Sequence, residues 1–347
     1  MSRIIDTLTS FEATLASSQV ERSVAPWTKQ AATRDWSAGF HDARQRVGTL
    51  WPHSDASQFV TAAGVVWHVQ RFGRGPAALL LHGTGASTHS WADLAPLLAH
   101  HFSVIAVDLP GHGLSGALPP SRMSLPGVAS VLAELLQAIG TRPVIGVGHS
   151  AGAAVLARMA LDRTIEPRAL VSLNGALLPL HGWAGQFFSP LAKVLALNPV
   201  VPRLFAWRAG KPAAVERLIA ATGSSLTSEQ TAHYARLIGD SRHVAGALAM
   251  LAHWDLRPLA RDLPRLTPEL LLVVAQGDRT LPPAHAKRVE AILPRAKRTE
   301  IPLLGHLAHE EEPRTVSALI EGFARETGVL PPADGPVNIT ASRTAHG

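Results

Sequence analysis

The stretch PVIGVGHSAGAAVLARMALD, Pro143–Asp162, decides the fold. It begins as an apolar run of strand length, is interrupted by the polar pair His149–Ser150, and resumes as small apolar residues at helical spacing. Gly148–His149–Ser150–Ala151–Gly152 is a G-x-S-x-G between a strand and a helix, the context in which a serine occupies a sharp elbow. So tight a turn leaves no room for side chains two positions before and two after the serine, which accounts for both glycines. The elbow lifts the hydroxyl of Ser150 above the end of a sheet. It also aims the N–H of Ala151, at the positive end of a helix, toward the same space. Gly146, Gly148 and Ala151 satisfy a dinucleotide-binding fingerprint as well, but that reading requires a carboxylate ending the next strand. The next strand, RALVSLNG (168–175), ends in Asn174.

Working outward, runs of strand length recur on both sides: GVVWHVQRF (64–72), AALLLHG (77–83), FSVIAVDLPG (102–111), LLVVAQGD (271–278) and RTEIPLLGH (298–306). The later runs are apolar at nearly every position, as strands covered on both faces are. Between them lie helical patterns. In SLPGVASVLAELLQAIG, Val128, Leu132, Leu135 and Ile139 form one stripe, Ser124 is the N-cap and Gly140 the stop. Alternation of strand and helix predicts an α/β fold with a mostly parallel central sheet and helices on both faces. The alternation breaks between 176 and 264, where helical spacings dominate, so this segment is expected to form a helical cap. The core is then expected at 51–175 and 265–330, an N-terminal extension at 1–50, and a disordered tail at 331–347.

A serine becomes a nucleophile when a base takes its proton and a third group orients the base. In strand-elbow hydrolases the chain order is serine, acid, histidine. After the helical segment, LLVVAQGD presents Asp278 at a strand end, and IPLLGHLAHEEEP then delivers His306 behind Gly305. Both fall at the strand edge where open α/β sheets bind ligands. A second oxyanion donor is expected from LLLHGTGAST, where the N–H of Thr84 joins that of Ala151; each donor is worth about 3–4 kcal/mol in the transition state. His82 and His149 read as loop braces, and Asp108 in VDLPGHGLSG as a loop anchor. His309 with Glu310 resembles the start of a zinc motif, but position 313 is proline, so no metal is expected.

Apolar residues make up 46% of the 347 and charged residues 17%, enough for a sizeable core. Cysteine is absent, which excludes disulfides, thiolate metal sites and a cysteine nucleophile. The net charge of +6 is scattered without a basic stripe, so a nucleic-acid partner is not expected. No apolar run reaches the roughly 20 residues of a transmembrane helix, and the N-terminus lacks an export signal, so a cytoplasmic location is expected.

These motifs, with HGTGAS, VDLPGHGLSG, GHSAG and GHLAHEEEP, resemble the α/β-hydrolase superfamily over residues 60 to 325. WPHSDASQFVTAAGVVWHVQRFG, the loops after it and LNGALLP are similar to the magnesium chelatase accessory proteins of bacteriochlorophyll biosynthesis, from Trp51 onward. The resemblance implies a Ser–His–Asp set (Ser150, His306, Asp278), no cofactor, a role near magnesium insertion into a tetrapyrrole, and magnesium chelatase subunits as partners. The strand bearing the acid usually ends in glycine; here Ala275 stands there, with Gly277 next to Asp278. A bulky apolar substrate is expected against Trp183, Phe187, Phe188, Phe205 and Trp207; Arg203, Arg208 and Lys211 nearby either meet porphyrin carboxylates or form a solvated helix face. A binding or assembly factor on the same scaffold is the alternative, because fold does not fix function.

Overall fold

The computed structural model describes residues 51–179, 202, 203, 206 and 212–332. The expected extension at 1–50 and almost all of the expected tail lie outside these. Eight strands form one sheet: β1 (Ser57–Ala62), β2 (Val65–Phe72), β3 (Ala77–Leu81), β4 (Ser103–Val107), β5 (Ile145–His149), β6 (Ala169–Leu173), β7 (Glu269–Ala275) and β8 (Lys297–Ile301), in the order β1-β2-β4-β3-β5-β6-β7-β8. The β1–β2 and β2–β4 pairs are antiparallel and all the others parallel, as the alternation of strand and helix predicts.

The central strands read as unbroken apolar runs because each face of the sheet has its own core. On β3, Leu79 and Leu81 pack into one cluster while Ala78 and Leu80 pack into the other. On β7, Leu270, Leu272 and Val274 join the first cluster, and Leu271 and Val273 the second. Period-two side chains with helices on both faces produce this pattern. One strand, β1, lies in a stretch without regular apolar alternation. Its Val60 pairs with Trp67 of β2, but half its positions are polar and it forms the edge of the sheet.

The helices between strands are α1 (Leu94–Leu98), α2 (Leu125–Ala138) and α3 (Ala151–Leu161). On α2, Ser124 caps the N-terminus by accepting from Gly127 N, all four stripe residues are buried, and Gly140 takes a positive φ of 63° just beyond the end. Between β6 and β7 the described helices are α4 (Pro212–Ala221), α5 (Ser228–Gly239), α6 (Ser241–His253) and α7 (Arg257–Asp262). The chain ends with α8 (Ala284–Ile292), α9 (Ala308–Glu311) and α10 (Pro313–Glu326). Among the described residues, no helix is long and apolar enough to cross a membrane.

Candidate active site

Because β3, β5, β6, β7 and β8 are mutually parallel, their C-terminal ends lie along one edge of the sheet, and each hands over to a loop there. β5 leads directly into Ser150, whose φ of 49° and ψ of −114° place it in the strained region expected of an elbow. Ser150 N donates to Leu173 O, and Ser150 O accepts from Ala153 N and Ala176 N. The glycines are sterically required. A Cβ on Gly148 would stand 2.4 Å from Ala153 N, and one on Gly152 would stand 2.1 Å from Leu81 O. The side chain of Ser150 lines a cavity of about 330 Å³.

His306 lines the same cavity. Its Nδ1 lies 2.7 Å from Asp278 Oδ2, both residues being buried. The other oxygen of Asp278 accepts from Thr280 N at 2.7 Å and Leu281 N at 2.8 Å, so the carboxylate is held at both ends. A carboxylate only accepts, so Nδ1 carries the ring proton and the lone pair is left on Nε2. The loop bearing His306 is fixed from several sides. Its carbonyl accepts from His149 Nε2 and from Asn174 Nδ2, both at 3.0 Å, and its N–H donates to Thr222 O. Asn174 was notable in the sequence only for not being a carboxylate. It joins β6 to β7 by accepting from Ala275 N and ties both to the His306 loop.

The loop after β3 forms the opposite wall, with Gly83, Thr84, Gly85 and Ala151 lining the cavity beside Ser150. His82 braces this loop, its Nδ1 donating to Gly83 O at 2.7 Å while its Nε2 accepts from Leu109 N at 2.9 Å. The helix α3 starts at Ala151, whose N–H has no carbonyl four residues back within the helix to receive it. Asp108 anchors the neighbouring loop by accepting from Thr88 N at 2.6 Å and Leu114 N at 2.8 Å. Burial alone would raise its pKa, but the His68 imidazole, with His82 and the Leu114 amide, outweighs burial and holds the carboxyl well below its usual range.

The cavity is predominantly apolar. Val215 and Ile219 of α4, Tyr234 and Ile238 of α5, and Leu251 and Trp254 at the end of α6 contribute much of its wall. The aromatic residues expected to line it, Trp183, Phe187, Phe188, Phe205 and Trp207, lie outside the described residues, as do Arg208 and Lys211. Arg203 is exposed and does not line the cavity. Val215 and Ile219, like Tyr234 and Ile238, are four residues apart in the segment where helical spacings dominate, but such spacing does not show which surface those faces meet. His309 is buried between the rings of Trp91 and His149, at centroid distances of 4.7 and 4.5 Å. Among the described residues no three His, Asp or Glu side chains are grouped so as to hold a metal ion.

The sequence profile of the alpha/beta hydrolase fold matches residues 76–313. The chain is 36% identical to the magnesium-chelatase 30 kDa subunit of Rhodobacter capsulatus over 272 residues, 78% of this chain and 95% of that protein. It is 28% identical to the pimeloyl-[acyl-carrier protein] methyl ester esterase of Vibrio vulnificus, over 74% of this chain and 97% of that one. Among solved structures, the epoxide hydrolase CorEH shares the fold with a TM-score of 0.66 at 20% identity, over 78% of this chain and 98% of that chain. The parallel sheet, the serine elbow and these similarities lead to one conclusion: the chain belongs to the α/β-hydrolase fold family and, within it, to the family of the magnesium-chelatase 30 kDa subunit.

Proposed function

We propose that the protein is a serine hydrolase that cleaves an ester-like bond in a bulky apolar substrate. The observation that carries this reading is the 2.7 Å contact between His306 Nδ1 and Asp278 Oδ2, beside a cavity that also holds the strained Ser150. In the acylation step the lone pair of His306 Nε2 takes the proton of Ser150 as Oγ bonds to the substrate carbonyl carbon. The C=O electron pair moves onto oxygen, and the N–H groups of Thr84 and Ala151 stabilise that charge. When the tetrahedral intermediate collapses, the bond to the leaving alkoxide breaks and His306 returns its proton to it. Water, deprotonated by the same Nε2, then releases the acyl group and restores Ser150. Asp278 fixes the tautomer throughout.

Likeness to a magnesium-chelatase subunit points to a tetrapyrrole or its ester as substrate, a role accessory to magnesium chelation in bacteriochlorophyll synthesis, and chelatase subunits as partners. That likeness also favours the second reading, a tetrapyrrole-binding or chelatase-assembly factor on a hydrolase scaffold, since the relative is named as a subunit rather than an esterase. A serine-directed fluorophosphonate separates the two. Covalent labelling that Ser150→Ala and His306→Ala both abolish supports the hydrolase. Full restoration of pigment synthesis by Ser150→Ala, in a strain lacking the corresponding gene, supports the assembly factor instead.

A further inference from the structure

One face of α6 holds the oxyanion loop. His243, Gly246 and Met250, spaced three and four residues apart, project from the same side of the helix. Each meets the loop after β3, which lines the cavity, or the neighbouring loop after β4. His243 Nε2 lies 3.1 Å from Gly85 O, and His243 Nδ1 accepts from Gly113 N at 3.0 Å. Gly246 abuts Gly111 so closely that a Cβ on it would lie 2.1 Å from Gly111 O. Met250 Sδ receives the hydroxyl of Thr84 at 3.5 Å. The helix backbone is therefore seated directly on the loop around 111, and its side chains reach over to residues 84 and 85.

We propose that His243 is a positioning residue for the oxyanion loop, holding Gly85 from the outside so that the N–H of Thr84 keeps its aim into the cavity. This inference rests on the hydrolase reading above. The loop is held at two carbonyls. His82 grips Gly83 O, which shares a peptide plane with Thr84 N–H and points opposite to it in a trans peptide. That contact fixes the tilt of the plane, and Ala86 N donates to the same carbonyl at 3.2 Å, closing the turn over Gly85, whose φ is +81°. The contact from His243 Nε2 adds a hold on the carbonyl of Gly85 from outside the turn. Since Nδ1 accepts an amide proton, Nε2 must be the protonated nitrogen, so the ring is the neutral tautomer that donates to Gly85 O. Burial favours the same neutral form, drawing the ring's pKa down to about 4. The contact joins residues 158 positions apart in the chain and so ties α6 to the loop after β3.

Two substitutions separate the two ring contacts. In His243→Gln the amide nitrogen falls near the former Nε2 and can still donate to Gly85 O. In His243→Asn the amide sits near the former Nδ1, keeps the Gly113 contact and loses Gly85. With a p-nitrophenyl ester as substrate, His243→Gln is expected to keep kcat within about threefold. His243→Asn is expected to lose about 10- to 100-fold in kcat with KM within about twofold, the cost of a misplaced donor rather than of lost binding. Thermal melts of both variants control for folding. Amide hydrogen exchange at residues 83–86 gives a readout independent of turnover, expected to quicken in His243→Asn and not in His243→Gln. Equal kcat in the two variants, a loss carried by KM, or equal exchange in both overturns the proposal. Wild-type protein that takes no fluorophosphonate and turns over no ester overturns the hydrolase reading instead, and the exchange comparison then decides alone whether His243 holds the loop.

Discussion

His68 and Asp108 form, fully buried, the same Nδ1–carboxylate contact at 2.8 Å that His306 and Asp278 form at 2.7 Å beside the cavity. The buried pair even continues to a serine, since His68 Nε2 lies 2.9 Å from Ser57 Oγ. What distinguishes the two series is access. Ser57 is wholly buried on the edge strand, whereas Ser150 sits on the elbow and lines the cavity. One series therefore ties β1 and β2 to the loop after β4, and the other is placed to meet a substrate.

The two aspartates should consequently fail in different ways. Asp278→Asn is expected to lower kcat by about 10³–10⁴, because an amide no longer selects the ring tautomer that leaves Nε2 unprotonated. Its melting temperature should change little, as the amide oxygen can still accept from the Thr280 and Leu281 N–H groups. Asp108→Asn leaves a buried imidazole and two loop amides short of a charged partner and is expected to cost about 3–5 kcal/mol in urea denaturation. Ester turnover and denaturation measured on both variants check the contrast; a stability loss confined to Asp278→Asn would contradict it.

Glycine substitutions test the elbow by a similar contrast. Gly152→Ala drives a methyl into the Leu81 carbonyl at 2.1 Å, against sheet backbone that cannot retreat, and should cost more than about 3 kcal/mol or abolish folding. Gly322→Ala, on the exposed face of α10 with open space around it, should stabilise by about 0.5–1 kcal/mol through helix propensity alone. Melting curves of the two proteins should move in opposite directions.

Much of this site was legible in the sequence because its determinants are local. The elbow is set by five consecutive residues, and parallel strands must bring their C-terminal ends to one edge, so Asp278 and His306 could be placed from strand ends alone. Contacts between distant segments left no such trace. Asn174 binds a loop more than 130 residues away, and His243 reaches Gly85 from a helix whose pattern shows only that one face is apolar. Edge strand β1 escaped notice for another reason. Ser57, Gln58 and Thr61 break the apolar alternation, and Ser57 is polar because it serves His68.

Acid should destabilise the fold through its buried imidazoles. Burial lowers the pKa of His82, His89, His112, His149, His243 and His309, the last to about 3, with His306 adding to the effect. A folded pKa below the unfolded value contributes stability that is present above about pH 6.5 and lost as pH falls through the folded value. Stability should therefore drop from pH 6.5 toward pH 4, by up to about 1.4 kcal/mol per pH unit for each histidine. His309→Phe isolates one of them: neither ring nitrogen has a hydrogen-bond partner, so the titration is removed without breaking a hydrogen bond. Urea midpoints between pH 7 and 4.5 should fall less steeply in His309→Phe, and identical slopes would rule the histidine out as a contributor.

Glu310 should act in the opposite direction and at higher pH. Burial pushes its pKa up to about 8; the hydroxyl of Tyr234, donating at 2.6 Å, opposes the rise, while Asp93 and Glu311 add to it. A folded pKa above the unfolded value contributes stability that is complete below about pH 4.5 and is lost as pH rises through 8. Between pH 4.5 and 6.5 this loss is masked by the gain from the histidines, so the window that exposes Glu310 is pH 6.5 to 8. There the wild-type protein should lose about 1.4 kcal/mol per pH unit, one proton's worth. Glu310→Gln keeps an acceptor for Tyr234 and cannot ionise, so its stability should stay level across the window. Denaturant midpoints of the two proteins at pH 6.5, 7.25 and 8 measure the difference, and parallel curves would show that Glu310 is already ionised in the fold.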